Sequence, residues 1–539
     1  MTEGGVRVGR NALPAAAAVL VALVLVLAGC AGRASSADQI VERFVSALNR
    51  GDAVAAANLT DSPTAARPVI EQMLDAFPDD SADFSLAQVS TSGGDSGLVS
   101  LRADWDFGKD RTWGYTTDGD LTKLSIGWRL SWSPQLLVPG LGPEQTVELV
   151  RTDAAPPLVR GAGDEVLMEQ LDLREVRIDP SATEDLTGTA EQVARIISPV
   201  APAIDAGVLL GRADAAGGDT FDAVSLRMSD FEVLAPALES VPGVRIEPVE
   251  RLVSTSSSVA SAVDADVRKR WQSERDRTQG WAVTVDGPGD ESRQAAGHQG
   301  PPPPDLHVTL DGDLQFAANN GVVAVPAPAA LVALRPSDGA VLAVAQNGAA
   351  DERGAVALEH QDPPGVIFTA FLRAAGVSDT GGDEAAEAAR QLGWGVKLAP
   401  PGMPADTGTA EKGKVATTAY GMALAAATIG AGELPAMQLF ADDRAAVPED
   451  APALPGERRE AYRSLMVDSV RSGALTVLNT HDGLDALTGL VEGDEEAPPG
   501  WLIGIRGDLA IGVYVGATDG TSNAVIVADQ FFRALARGR

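Results

Sequence analysis

The chain has 539 residues, which is too long for one compact core and predicts about three domains. Its hydrophobic fraction of 45% and charged fraction of 22% are ordinary for a folded globular protein and argue against general disorder. The formal net charge of -33 repels phosphate backbones and anionic lipid headgroups. Nucleic acid is therefore not expected as a partner.

The N-terminus has the pattern of a bacterial export signal. Arg7 and Arg10 precede an apolar run over residues 15–27, and Ala-Gly-Cys follows, ending at Cys30. Cys30 is the only cysteine, so no disulfide can form within the chain. Leu-Ala-Gly-Cys resembles a lipobox, whose cysteine carries a diacylglycerol and becomes the mature N-terminus. We therefore expect residues 1–30 to be a lipoprotein signal peptide; the alternative is a plain membrane anchor with a chance cysteine.

Residues 38–140 change from helical to strand periodicity. Apolar residues recur at helical spacing from Ile40 to Leu48, after Asp38 as a candidate N-cap. Apolar side chains then alternate from Val99 to Phe107 and again from Trp128 to Trp132, which predicts strands. Helices followed by a meander of strands indicate an α+β unit.

Two segments of this unit carry a resemblance, DQIVERFVSALNRGD at 38–52 and WRLSWSP at 128–134. They resemble the NTF2-like domain at the N-terminus of some lipid-anchored penicillin-binding proteins. The resemblance implies a fold with a conical pocket, and most such domains in that family are spacers. We favour a spacer here, with a small-ligand sensor as the weaker alternative.

Residues 141–285 are a mixed region that resembles the pedestal, or dimerisation, domain of class B penicillin-binding proteins. The likeness rests on residues 159–161 (VRG), 176–180 (VRIDP) and 241–244 (VPGV), which follow the order of that family. Residues 286–304, DGPGDESRQAAGHQGPPPP, are rich in Pro, Gly and Ser and predict a linker.

Residues 305–539 resemble the β-lactamase/transpeptidase-like domain of penicillin-binding proteins. HVTLDGDLQFAANN, from His307, is similar to the entry of that domain, and ALVALRPSDGAVLAVAQ, residues 330–346, predicts the hairpin before its active-site serine. The likeness continues in two strands and a closing helix, at 501–504, 509–515 and 524–535. The implied fold class is α+β multidomain, with an antiparallel sheet flanked by helices in this last domain.

The resemblance implies acyl-enzyme chemistry, which needs three clusters of side chains. Ser-x-x-Lys supplies the nucleophile and a neighbouring base, and Ser-x-Asn supplies a second proton relay. Lys-Thr-Gly, on an edge strand, binds the substrate carboxylate. Because a serine without a base is a weak nucleophile, activity requires that these clusters be present.

The catalytic residues of the first and third clusters are replaced. Where the family has Pro-Gly-Ser-x-Phe-Lys, the chain reads Pro-Gly-Val-Ile-Phe-Thr from Pro364. Where it has Lys-Thr-Gly, the chain reads Leu-Thr-Gly from Leu487. The degenerate active-site positions are Val366, Thr369, Leu487, Thr488 and Gly489. None of them is expected to be catalytic, since valine has no hydroxyl to acylate.

The missing motifs have not moved elsewhere in the chain. No lysine has a serine three residues before it, and no asparagine has a serine two residues before it. Thr409 to Lys412 is the nearest imitation of Ser-x-x-Lys, and its flanking glycines predict a surface loop. Residues 471–473 (RSG) follow a predicted helix and stand too early in the chain for an edge-strand motif.

Other site chemistries have little support. The histidines, His298, His307, His360 and His481, show no metal-ligand spacing. His481-Asp482 with Ser464 or Ser472 could be imagined as a hydrolase triad, but no Gly-x-Ser-x-Gly elbow accompanies them. A phosphate loop is also missing. We therefore expect no metal and no cofactor.

Two functions from different classes remain. The first is a non-catalytic, lipid-anchored protein on the extracytoplasmic face of the cell membrane, which binds peptidoglycan or proteins of cell-wall synthesis or division. The second is a residual D,D-transpeptidase or carboxypeptidase that acts on peptidoglycan stem peptides through an unrecognised serine. Covalent labelling by a β-lactam separates the two.

Overall fold

The computed structural model describes residues 36–78, 81–92, 94–255, 261–288, 291–472, 475–491, 496–517 and 522–538. The expected signal peptide and Cys30 lie outside these ranges. Within them, no helix has the length and apolar character needed to cross a membrane. Backbone contacts divide the chain into two units. The first runs to Ala154 and resumes over Gln279–Pro301, and the second takes Ala155–Thr278 and the residues from Pro302 onwards.

The first unit begins with helices α1 (Ser36–Leu48), α2 (Ala53–Ala57) and α3 (Pro63–Asp75). A four-stranded antiparallel sheet follows, in the order β1 (Ala82–Thr91), β2 (Ser96–Asp106), β3 (Thr112–Leu124) and β4 (Gly127–Leu130), and β5 (Thr146–Thr152) comes after it. The predicted change from helices to strands is confirmed. Two details were wrong: Asp38 lies in the first turn of α1 rather than at its cap, and Trp132 lies beyond β4.

Side-chain alternation explains how this sheet is covered. On β2, Val99, Leu101 and Ala103 are buried while their polar neighbours face outwards. The buried side chains form one core with the apolar faces of α1 and α3. A strand of period two can bury only one face when helices cover one side of the sheet.

The chain then enters the second unit. Its first stretch contains β6 (Val159–Arg160), β7 (Val166–Ile178), α4 (Leu186–Ile197), α5 (Ala206–Ala216), β8 (Phe221–Arg227), α6 (Met228–Leu238), β9 (Val244–Ser254) and α7 (Ser261–Arg277). The long strand β7 pairs antiparallel with β6, β8 and β9. Helices α4 to α6 share a separate apolar core with β7 and β8.

Strands β10 (Gly280–Asp286) and β11 (Ser292–His298) return the chain to the first unit. Their sheet has the order β11-β10-β5, so residues 286–304, predicted as a linker, contain a strand. The stretch from Gly280 to Asp286 also belongs with the first unit rather than with the predicted pedestal region. The reason is burial: Trp281, Val283 and Val285 enter the core of the first unit.

The last stretch completes the second unit. It contains β12 (Leu306–His307), α8 (Gly312–Val322), β13 (Ala329–Leu334), β14 (Val341–Gln346), α9 (Gly348–Asp351), α10 (Val356–Glu359), α11 (Gly365–Ala374), α12 (Asp383–Gln391), β15 (Gly408–Glu411), β16 (Lys414–Thr417), α13 (Ala419–Ala431), α14 (Gly456–Ser472), β17 (Leu484–Leu490), β18 (Gly500–Arg506), β19 (Leu509–Val515) and α15 (Ser522–Arg537). The predicted hairpin, the two later strands and the closing helix are all present.

Direct contacts join the two stretches of the second unit, so the chain has two units where three were expected. Strand β12 pairs parallel with β6, and Arg160 Nε lies 2.6 Å from Asp305 Oδ2. At the start of α8, Glu165 Oε1 accepts a hydrogen bond of 2.9 Å from the amide of Gly312. A carboxylate at a helix N-terminus satisfies a free backbone N–H and is favoured by the helix dipole.

A five-stranded antiparallel sheet, in the order β14-β13-β19-β18-β17, forms the centre of the last stretch. Helices α8 and α15 cover one face and α13 lies on the other. All residues of β13 are buried, because alternate side chains enter the two cores. This burial on both faces explains why β13 is a continuous apolar run, and it matches the expected antiparallel sheet flanked by helices.

Helix α13 is apolar on all sides, since every residue from Ala419 to Ile429 is buried. It packs directly on the backbone of the central strand β19. A Cβ added to Gly512 would overlap the carbonyl oxygen of Ala419 and the amide nitrogen of Ala423. Only a glycine on β19 permits this approach.

Candidate functional site

The fold brings together the two clusters of positions that the sequence predicts to be a degenerate active site. Helix α11 carries Val366 and Thr369 and packs beside β17, the edge strand of the five-stranded sheet, which carries residues 487–489. A Cβ on Gly489 would stand 2.8 Å from the amide nitrogen of Ile367 and 3.0 Å from Val366 Cβ. The first turn of α11 therefore faces the end of β17. We call this contact the α11–β17 junction.

Two glycines make the junction possible. Gly365 has φ +52, in the left-handed region that disfavours other residues, and a Cβ there would overlap the carbonyl oxygen of Leu490. Gly489 meets α11 from the opposite side. Gly365 and Gly489 thus have a packing role that is independent of any chemistry.

The other side chains of the junction are apolar or bonded within their own framework. Val366 is 42% exposed and offers only methyl groups. The Thr369 hydroxyl donates to the Gly365 carbonyl at 3.3 Å, one turn back in its own helix. The Thr488 hydroxyl donates to the Trp501 carbonyl at 2.8 Å, and Leu487 is buried in the apolar core. No nucleophile is paired with a base among these residues.

A phenol that packs against α11, that of Tyr462, does not supply a base. The Tyr462 ring lies 4.6 Å from that of Phe371 on α11. Its hydroxyl has no hydrogen-bond partner among the described residues, and burial raises the pKa of Tyr462. The group is therefore a neutral phenol near neutral pH. Beside it, Arg463 Nε and Asp485 Oδ2 form an ion pair at 3.3 Å, so neither charge is directed at the junction.

The two imitations of catalytic motifs stand elsewhere. Thr409 lies on the β15–β16 hairpin, not in the loop that its glycines predict, and its hydroxyl donates to Gln361 Oε1 at 3.0 Å. Lys412 Nζ instead pairs with Asp383 Oδ2 at 2.9 Å. Since the hydroxyl and the amine have different partners, this pair is not a nucleophile and base. Arg471 lies in the last turn of α14, a helix as predicted.

His481 does not form the imagined triad. Its Nε2 lies 2.9 Å from Oδ1 of Asp529 on α15, and the second carboxylate oxygen is 2.8 Å from Arg533 Nε. Asp482 instead contributes its carbonyl, which accepts a hydrogen bond from Arg506. Within the described ranges, no group of three or more His, Cys, Asp or Glu side chains is placed to hold a metal ion.

One polar cluster was not predicted from the sequence. The Tyr514 hydroxyl, on β19, donates to Asp362 Oδ2 at 2.6 Å and lies 3.0 Å from His360 Nε2. His360 Nε2 is also 3.1 Å from Asp362 Oδ2. His360 and Asp362 stand just before α11, but Tyr514 is 152 residues after Asp362, so no local spacing reveals the cluster.

Aromatic side chains occupy the interior of the first unit, where the resemblance implies a conical pocket. The rings of Phe77 and Trp105 are 4.5 Å apart, and Trp281 from β10 lies 5.5 Å from Phe107. The same cluster includes Phe84, Trp113 and Tyr115. In the same unit, residues of β1, β2 and β3, among them Gln88, Ser100 and Asp118, line an open cavity of about 570 Å³.

Comparison with known families finds a match within the first unit. Residues 36–145 match the NTF2-like N-terminal transpeptidase domain, which spans α1 to α3 and the four-stranded sheet. No curated protein matches the chain. The first unit therefore contains an NTF2-like domain of the kind found in penicillin-binding transpeptidases.

Proposed function

We propose that this protein is a lipid-anchored homologue of penicillin-binding proteins that works in peptidoglycan synthesis as a binding or scaffold protein, without acyl-enzyme chemistry. The observation that carries the proposal is the α11–β17 junction. Val366 and Gly489 approach each other closely, at positions where the resemblance implies the nucleophilic serine and the Lys-Thr-Gly motif, and neither the hydroxyl nor the amine that acylation needs is present there. The NTF2-like transpeptidase domain at 36–145 supports the relationship.

The chemical argument is the loss of both partners in one proton transfer. Attack on an amide or a β-lactam needs a nucleophile and a base within hydrogen-bond reach. Val366 has no ionisable atom, and the Thr369 hydroxyl is bonded to its own helix. In this proposal, residues 155–278 correspond to a pedestal-like part and the residues from 302 onwards to a transpeptidase-like part.

The partners proposed are peptidoglycan itself or a protein of cell-wall synthesis or division. A protein that has the fold of a transpeptidase but not its catalytic residues can still bind other molecules through the shape of its surface. Peptidoglycan or an active synthase could bind to that surface. The aromatic interior of the NTF2-like domain supports a spacer role for the first unit. Lipid on Cys30 would hold the protein at the extracytoplasmic membrane face.

Fluorescent penicillin tests the loss of chemistry directly. We expect no labelled band from the full-length protein at a penicillin concentration that labels an active penicillin-binding protein completely. The variant Val366→Ser/Thr369→Lys restores the nucleophile and base one turn apart on α11, and a band from it supports the retained junction. Val366→Ser alone is the matched control and should stay unlabelled, because it lacks the base. A stoichiometric wild-type band would overturn the proposal and favour the residual transpeptidase.

Binding is tested by co-sedimentation with purified peptidoglycan. We expect the protein to pellet with peptidoglycan to the same extent before and after penicillin treatment, because no acyl group is formed. Penicillin-sensitive pelleting would contradict the non-catalytic role. If the protein stays in the supernatant, peptidoglycan is excluded as the direct partner. A protein of the synthesis or division machinery is then the remaining candidate.

A further inference from the structure

The open cavity of about 570 Å³ lies on the four-stranded sheet of the first unit. Most of its lining consists of two rows of side chains that cross the sheet, each with one residue from β1, β2 and β3. The two rows are Gln88, Ser100 and Asp118, and Ser90, Leu98 and Asp120. We call this surface the β1–β3 cleft. None of the observations that support the proposed function involves it.

The cleft lies on the face of the sheet opposite to the helices. Val99 and Gly119 separate the two rows and face the core of the unit. Val99 is buried there with side chains of α1 and α3, and a Cβ on Gly119 would stand 2.7 Å from Leu136 Cδ1. Because successive residues of a strand point to opposite faces, the two rows face solvent. The cleft is therefore separate from the aromatic interior of the same unit.

The charge of the cleft is negative and uncompensated. Its lining residues include the carboxylates of Asp118 and Asp120 and no cation. Within the described ranges, neither carboxylate forms a hydrogen bond or an ion pair. Arg102, the next outward-facing residue of β2, makes two hydrogen bonds to Asp104 instead, at 2.6 and 2.8 Å. A positively charged group would therefore bind here without displacing an existing partner.

The cleft also has an apolar centre. Leu98 is 63% exposed and stands between Ser90 and Asp120 in its row. A single exposed leucine is common on protein surfaces and has no meaning by itself. Here it is surrounded by polar side chains in a cavity, and an apolar centre with a polar rim is the usual anatomy of a binding interface.

A lysine side chain fits both features. Its alkyl stem covers apolar surface while its ammonium group stays with charged partners. A small-molecule site encloses most of its ligand, whereas this cavity is open, so we expect the lysine on an extended segment of a larger partner. The formal net charge of -33 attracts a basic partner and repels a second copy of this chain.

We propose that the β1–β3 cleft binds a lysine-bearing segment of a partner protein. The ammonium group lies between the carboxylates of Asp118 and Asp120, and the stem packs on Leu98. Gln88 and Ser100 offer hydrogen-bonding groups to the backbone of the segment. Because no residue of the second unit takes part, this inference does not depend on the absence of acyl-enzyme chemistry.

The test is a titration of a labelled peptide with the full-length protein, followed by fluorescence anisotropy. The probe is a fluorescein-labelled peptide of nine residues in which lysine alternates with serine. We expect binding that saturates at one peptide per chain. The same peptide with every lysine acetylated keeps the stems but loses their charge, so it should bind at least fivefold more weakly.

Two double variants with the same change of charge identify the site. Asp118→Asn/Asp120→Asn should weaken binding at least fivefold, because an exposed ion pair contributes up to about fivefold to affinity. The matched control is Glu42→Gln/Asp75→Asn, which alters exposed residues of α1 and α3 on the opposite side and should bind like the wild type. Leu98→Ala should weaken binding about threefold, because the stem loses apolar contact. All these residues are exposed, so thermal unfolding should change by no more than a few degrees.

A probe that does not bind saturably overturns the proposal. So does an equal loss of affinity in the two double variants, because the charge of the whole chain then explains the attraction. Soluble peptidoglycan fragments are added as a competitor. If they displace the probe at a lower concentration than the unlabelled peptide does, the cleft binds the cell-wall polymer and the assignment to a protein segment is wrong.

Discussion

Gly512→Val is expected to lower the free energy of unfolding of the second unit by about 3 kcal/mol or more. The added side chain would overlap the backbone of Ala419 and Ala423 on α13. A flexible side chain can relieve such an overlap by changing its rotamer, but backbone atoms cannot. Helix α13 must therefore be displaced from β19, which opens the apolar core on that face of the sheet.

Differential scanning calorimetry measures this effect as a lowered transition temperature of the second unit. The matched control is Gly348→Ala at the start of α9, where an added Cβ meets nothing within 4 Å. That change should alter stability by no more than about 1 kcal/mol, in the stabilising direction, because alanine is the better helix former. Equal transition temperatures for wild type and Gly512→Val would show that the contact between α13 and β19 is looser than described.

Asn347→Leu should lower the free energy of unfolding by about 3 kcal/mol or more, because one buried amide holds the loop between α8 and β13. Its Nδ2 donates to three backbone carbonyls, at 2.8 to 3.2 Å, those of Val322, Val325 and Ala327. Its Oδ1 accepts from the amides of Ala329 and Ala350, each at 3.1 Å. Leucine has a similar volume but removes these hydrogen bonds. The Ala350 amide keeps the Asn347 carbonyl as a partner at 2.8 Å, while the three carbonyls lose the amide that donates to them.

The control for this change is Asn320→Ala, on the exposed side of α8. The Asn320 side chain donates only to the Phe316 carbonyl of its own helix. We expect a change within about 0.5 kcal/mol there. Urea denaturation followed by circular dichroism compares the two variants. An Asn347→Leu protein as stable as the control would mean that water replaces the lost hydrogen bonds.

Elements with local periodicity could be predicted from the sequence. We expected the hairpin of β13 and β14, strands β18 and β19 and the closing helix α15. Apolar residues that recur every 2 or 3.6 positions can be recognised within a short stretch of sequence. The lack of Ser-x-x-Lys is likewise a property of the sequence alone. That the substitutions at Val366, Thr369 and Leu487 mark a lost active site remains a prediction.

Long-range pairing could not be predicted in this way. Strand β11 lies in a segment whose Pro, Gly and Ser content predicts a linker, yet its backbone bonds to β10, and β10 pairs with β5, which lies far earlier in the chain. Backbone hydrogen bonds depend weakly on side-chain type, so composition does not exclude a strand. Because of this pairing, residues 279–301 belong to the first unit, although they lie between two stretches of the second.

The sequence by itself determined the periodic elements and the lack of a Ser-x-x-Lys motif, because both are read from adjacent positions. Only the tertiary structure decided which distant residues meet. It placed Gly489 against α11, Trp281 in the core of the first unit and Tyr514 beside His360 and Asp362. The physical reason is that burial and strand register, rather than spacing along the chain, set these contacts.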